Sequence, residues 1–233
     1  MKQLVYFGLL ASAFFACSTP ATETKTEMVD TRFEDAILEK AMKRNDVGTA
    51  LNTIHVILEK DTTRITLYDT LFQLYLDMQN PAGLADVGLI LLQTKPNDLA
   101  ILEATSAGLT STMQLDKALE IERRMFAISG DPRLKIRIAM ILFEQKQTDL
   151  ARQEIQWVID HREVSDTMRI EQAMPSVKDK TQMVSMRAIA YYTLGELEMG
   201  VGNKKEAIRL LNKALEVDPR FDMAATALLQ IDN

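Results

Sequence analysis

The chain has 233 residues, 47% of them hydrophobic and 26% charged, with a formal net charge of −6. That length suits one sizeable core or one compact array of repeats, and an acidic chain without a Lys/Arg-rich stretch lacks the basic face that grips a phosphate backbone, which argues against nucleic acid as a partner. Gly (9) and Pro (6) are scarce and aromatics make up 6%, which argues against a turn-rich sheet protein and favours helix.

In chain order, the first element is an address. Met1-Lys2-Gln3 leads into an apolar run of 13 residues, Leu4 to Ala16, that ends on a small residue immediately before Cys17. A membrane span needs roughly 20 residues, so the run reads as a secretory signal. A lone cysteine cannot form an internal disulfide, and thiol metal sites need several. Small residue followed by Cys17 resembles the lipobox of bacterial lipoproteins, although Phe14 and Phe15 depart from its usual Leu and small residue. The resemblance implies cleavage between Ala16 and Cys17, with a diacylglycerol on the thiol. The rival is plain secretion with cleavage after Ala13, which leaves a short apolar core and a free thiol. Residues 1–16 are therefore expected to be a lipoprotein signal peptide and 17–30 a flexible Thr-rich tether, too poor in large apolar residues to fold. Ser18 after the cysteine favours the outer membrane of a bacterial envelope, facing the periplasm. The covalent lipid is the one non-protein group expected, and no cofactor.

From residue 31 to 233 amphipathic helices recur in pairs. Ala50, Ala85, Ala118, Ala151 and Ala207 each head a second helix, at intervals of 35, 33, 33 and 56 residues. The spacing predicts five helical hairpins and one further helix, Phe221 to Ile231. The last interval exceeds the others by about 22 residues, which places an insertion near 163–183. Pro175 breaks any continuous helix there, and the segment is expected to extend the two neighbouring helices to an exposed apolar tip. Ala104 to Ser111 makes a poor first helix, and Glu122 falls where a large apolar residue is expected.

The fifth copy is the clearest: Tyr191, Leu194 and Gly195, the Gly202-Asn203 turn, then Ala207, Leu211, Ala214 and Pro219. This resembles the tetratricopeptide repeat, with one departure, Glu198 in place of the usual Tyr. Gly195 and Ala207 let two helices approach closely, and Pro219 suits the first turn of the next helix. The resemblance implies an all-α, right-handed solenoid of about five hairpins plus a C-terminal helix; the rival is an irregular bundle.

The resemblance also implies a concave partner-binding groove lined by first helices. Its positions fall on Asp35 and Glu39, then Asp69, Gln73 and Asp77, then Ile136, Met140 and Phe143, then Tyr192, Glu196 and Met199. Half of that groove is acidic and half apolar; the alternative is that Ile136, Met140 and Phe143 are core. His55 and His161 lie 106 positions apart on helical patterns, and no motif for a nucleophile, metal or phosphate loop appears, so no catalytic or metal residue is expected. The expected function is a membrane-anchored adaptor for a protein or peptide, not an enzyme; the alternative is a glycan- or peptidoglycan-binding lipoprotein, weakened by a single Trp, Trp157.

Overall fold

A computed structural model describes residues 30–232. Cys17, the cleavage point after Ala16 and the tether lie outside the described residues apart from Asp30. Five antiparallel helical hairpins follow in order: α1 (Arg32–Lys43) with α2 (Val47–Lys60), α3 (Thr66–Asp77) with α4 (Pro81–Thr94), α5 (Leu99–Ser111) with α6 (Leu115–Ser129), α7 (Pro132–Glu144) with α8 (Thr148–Asp160), and α10 (Met186–Gly200) with α11 (Lys204–Val217). Between α8 and α10 lie a one-turn helix, α9 (Arg162–Ser165), and two strands, β1 (Arg169–Ala173) and β2 (Thr181–Ser185); α12 (Asp222–Asp232) closes the described chain. Successive hairpins stack, and the alanines that announced them, Ala50, Ala85, Ala118, Ala151 and Ala207, are all buried.

Local chemistry sets the helix starts. Asp46, Asn80, Asp98, Asp131 and Ser185 accept hydrogen bonds from backbone N–H groups in the first turns of α2, α4, α5, α7 and α10, and Pro81 and Pro132 begin their helices. One backbone device joins the two helices of every hairpin. Asn45, Gln79, Met113, Lys146 and Gly202 all have positive φ, between 50° and 82°. In each turn the next residue donates its N–H five residues back, to Ala41, Tyr75, Leu109, Leu142 and Glu198, at 2.8–2.9 Å. This is the Schellman ending of a helix, five times over. Glycine occupies the left-handed position once; four copies tolerate a side chain there at a cost of about 1–2 kcal/mol each.

The insertion is not a pair of helix extensions. β1 and β2 pair antiparallel, with Ile170 opposite Val184, and the ladder continues through Met174 N–H to the Lys180 carbonyl at 2.9 Å. Burial alternates along β1, and β2 ends in two buried residues, Val184 and Ser185. Pro175 cannot donate to a helix or a central ladder and lies in the connecting loop. Nor does the hairpin project freely: Arg169 pairs with Asp218 at 2.8 Å, and the Ser176 N–H donates to Asp222 at 2.9 Å. Pro219 also departs from expectation. It is exposed in the turn between α11 and α12, three residues before α12 begins, because the chain there serves to bring Phe221 into the core.

Candidate functional site

The signature residues of the fifth hairpin form its helix crossing. Leu194, Gly195, Ala207, Leu211 and Ala214 are buried and Tyr191 is partly so. A Cβ on Gly195 would sit 3.1 Å from Leu211 Cγ and 3.4 Å from the Ala207 carbonyl oxygen, which is the close approach read from the sequence. Glu198, in the place of an aromatic, is buried and held by Arg152 at 2.6 Å and by Asn203 Nδ2 at 3.0 Å. It ties α8 to α10 and to the turn before α11.

First helices line the larger apolar cleft. It has a volume of about 650 Å³ and lies between α5 and α7, floored by the α5–α6 turn. Ala107, Met113, Leu115, Met140 and Phe143 supply apolar surface, and Glu103, Glu122, Arg137 and Glu144 the charge. Met113 and Met140 are 66% and 59% exposed. A smaller cavity of about 150 Å³ continues on the other side of α7, towards Thr193 and Glu196 of α10, and shares Met140 and Phe143 with the first. The Phe143 ring is seated against Gly200, where a Cβ would come within 2.7 Å of Cζ. The two cavities make one trough along α5, α7 and α10.

Arg137 organises the charge. Its Nη1 bonds Glu103 at 2.5 Å, and its Nη2 bonds Glu122 Oε1, which also accepts from Ser106 Oγ. Glu122 is 1% exposed, and its Oε2 has no hydrogen-bond partner. Burial pushes its carboxyl above the ordinary range, against the opposing pull of Ser106 and Arg137. Burial raises Glu196 as well.

The expected groove positions divide. Met140, Phe143 and Glu196 line the trough. Ile136 does not: it is 8% exposed and belongs to the core, while the adjacent Arg137 faces the cleft. The sequence register is therefore off by one residue at that point. Tyr192 and Met199 turn towards the C-terminal core, Tyr192 edge-on to Phe221 at 5.3 Å. The acidic half is largely neutralised: Asp35 pairs with Arg64 at 2.7 Å, Glu39 with Lys43 at 2.5 Å and Asp69 with Lys95 at 2.5 Å, whereas Gln73 and Asp77 stand exposed. Sequence reading missed Glu103, although Asp35, Asp69, Glu103 and Arg137 recur every 34 residues. That interval was the available signal, obscured because α5 looked too weakly amphipathic to count as a first helix.

A second, polar cleft of about 680 Å³ separates α8 from α11. Its cations are already matched: Arg152 by Glu198, Arg209 by Glu206 at 2.6 Å and Lys213 by Glu216 at 2.5 Å. Among the described residues no helix is long and apolar enough to cross a membrane, and no three His, Cys, Asp or Glu side chains are grouped to hold a metal.

Residues 188–221 match the tetratricopeptide repeat family model. Solved structures share the fold at low identity. YrrB, described as a TPR protein with an unusual peptide-binding site, aligns at 17% identity over 86% of this chain and 93% of its own, with a TM-score of 0.53. A tetratricopeptide repeat protein from Parabacteroides merdae aligns at 16% over 85% and 72%, also at 0.53, and MamA at 15% over 82% and 92%, at 0.52. No curated protein matches the sequence.

Proposed function

We propose that this chain, a tetratricopeptide-repeat protein, is a binding scaffold that seats a protein or peptide in the trough along α5, α7 and α10, without chemistry of its own. The observation that carries this reading is Met140, a large apolar side chain left mostly exposed between two adjoining cavities on a helix whose leucines and isoleucines are all buried. A flexible thioether at such a place is suited to an adaptable apolar contact.

The scaffold works at a membrane of the bacterial envelope, outer rather than inner, tethered through a lipid on Cys17. The support is the sequence alone: a short apolar run, a small residue and one cysteine. Buried acyl chains contribute about 0.8 kcal/mol per methylene, so two or three chains hold a domain at the bilayer without further contacts. The glycan alternative loses its ring platform, because Trp157 stacks on His161 at 3.8 Å and meets Phe126 edge-on at 5.2 Å.

In-cell photo-crosslinking tests the trough. A photoreactive residue at Ala107 is expected to yield a discrete protein adduct, and one at the exposed Glu120 on α6 is not. Equal adducts from both positions, or none from Ala107, would overturn the reading. For the anchor, an alkyne fatty acid fed to cells is expected to label the wild-type chain and not Cys17→Ser; label retained in the variant would refute lipidation at that thiol.

A further inference from the structure

The identity of the trough's partner is constrained by two features that the fold does not require. The first is Met113. At the left-handed turn position the other hairpins carry Asn45, Gln79, Lys146 and Gly202. Only the third places a large apolar side chain there, and it does so at the lip of the α5–α7 cleft with two thirds of its surface in water. Glycine would hold the same φ of 60° without the Cβ penalty. The fold gains nothing visible from this methionine, and strained backbone is commonly retained where a side chain serves binding.

The second is charge. Three acidic side chains line the cleft against one cation, Arg137: Glu122 is buried at its base, Glu103 pairs with Arg137, and Glu144 remains on the rim. Glu144, exposed at the end of α7, has no ion-pair partner among the described residues. The cleft is thus an apolar slot with an acidic rim. Ala107, Thr110 and Ser111 on the facing wall are small, which leaves room for a backbone to pass.

We infer that the α5–α7 cleft takes an extended peptide segment that packs a large aliphatic side chain between Met113 and Met140 and sets a lysine or arginine against Glu103 and Glu144. This rests on the trough being a binding site at all. An acidic partner would meet repulsion at the unpaired Glu144, and like-charge juxtaposition discriminates strongly between partners. A second copy of the chain would have to present such a segment.

The test uses a fluorescein-labelled peptide of alternating leucine and lysine, with matched peptides carrying glutamate for lysine or serine for leucine, titrated by fluorescence anisotropy against residues 18–233. The Leu/Lys peptide is expected to bind at least tenfold more tightly than either control. Glu144→Lys combined with Glu103→Gln is expected to remove that charge preference. Met113→Gly is expected to weaken binding about tenfold while raising the urea midpoint, a pairing that a merely structural methionine would not give. Preference for the Glu peptide, indifference to charge, or no binding by any of the three would overturn the inference. So would a dimer in sedimentation velocity that Met140→Ser dissociates, since the slot would then hold a second copy. If these fail while Ala107 still crosslinks a protein, the trough reading stands and only its partner chemistry falls; loss of both removes the two together.

Discussion

Glu122 shows what a buried carboxylate does in this fold. It occupies a position where the repeat wants a large apolar side chain, and it is buried as such a side chain would be. Ser106 and Arg137 both reach one of its oxygens and favour the carboxylate, but burial, with the other oxygen unpartnered, outweighs them and favours the protonated acid. A carboxyl whose folded pKa lies above its unfolded value, 4.5, keeps its proton longer in the folded chain. Its contribution to stability is therefore full below that value and lost as pH rises through the raised folded pKa. The difference in urea stability between wild type and Glu122→Gln, measured from pH 4 upwards, is expected to shift in favour of the variant across that window. A difference that does not change with pH would mean that folding leaves the Glu122 carboxyl unshifted from its unfolded value. Glu198, a second buried glutamate, on α10, is enclosed by Arg152 and Asn203 instead, and both of its oxygens have partners. Sequence alone gave no way to separate these two cases, because the partners Arg137 and Arg152 come from the neighbouring hairpin. The left-handed turn residues were similarly half legible. Gly202 was readable as a turn because it is glycine; Asn45, Gln79, Met113 and Lys146 adopt the same backbone without announcing it.

The element that departs most from its sequence reading is the insertion. An exposed apolar tip is the expectation from sequence, yet Ile170 and Val184 face inwards and pack with the cluster around Phe221. Arg169–Ala173 and Thr181–Ser185 carry no clean period-two alternation of apolar and polar residues, and strands of five residues are short enough to be hidden between two helical patterns. The hairpin acts as a brace: its base is fixed by Arg169 to Asp218, and its loop by Ser176 to Asp222. Val184→Ala removes two buried methyl groups and is expected to cost about 2 kcal/mol. Asp222→Ala, acting at an exposed contact, is expected to cost under about 1 kcal/mol but to open the 174–180 loop to limited proteolysis. Identical cleavage of wild type and Asp222→Ala would show that the loop is held by something other than this contact. The other misread element, α5, is weakly amphipathic for a packing reason. Gly108 lies against the start of α4, where a Cβ would come within 2.5 Å of the Pro81 carbonyl oxygen, and Gly88 of α4 lies as closely against Thr105. A helix buried on two sides has no polar stripe to reveal its phase.

At the scale of the molecule, stacking makes stability local. Five hairpins were countable from alanine intervals because the helix crossings need small residues wherever the chain folds back, and this requirement repeats with the repeat. What the intervals could not reveal is that the buried apolar side chains separate into two clusters. One runs from α1 to α10 and takes in Leu210 of α11; the other joins β2, α10, α11 and α12 around Phe221, with Ile170 and Tyr191 packed against both. A solenoid's units draw their stability from themselves and their nearest neighbours, so damage in the second cluster should not spread evenly. Phe221→Ala empties the centre of that cluster, and loss of a fully buried ring costs about 3–5 kcal/mol. Hydrogen exchange is expected to accelerate in α10, α11 and α12 and in the brace, while α1 to α6 keep their wild-type protection. The trough would then be breached at its α10 wall but intact between α5 and α7, so the larger cleft would survive a lesion that dissolves the smaller one. Equal acceleration in every helix would mean that the two clusters unfold as one unit, and that the trough is only as stable as its C-terminal end.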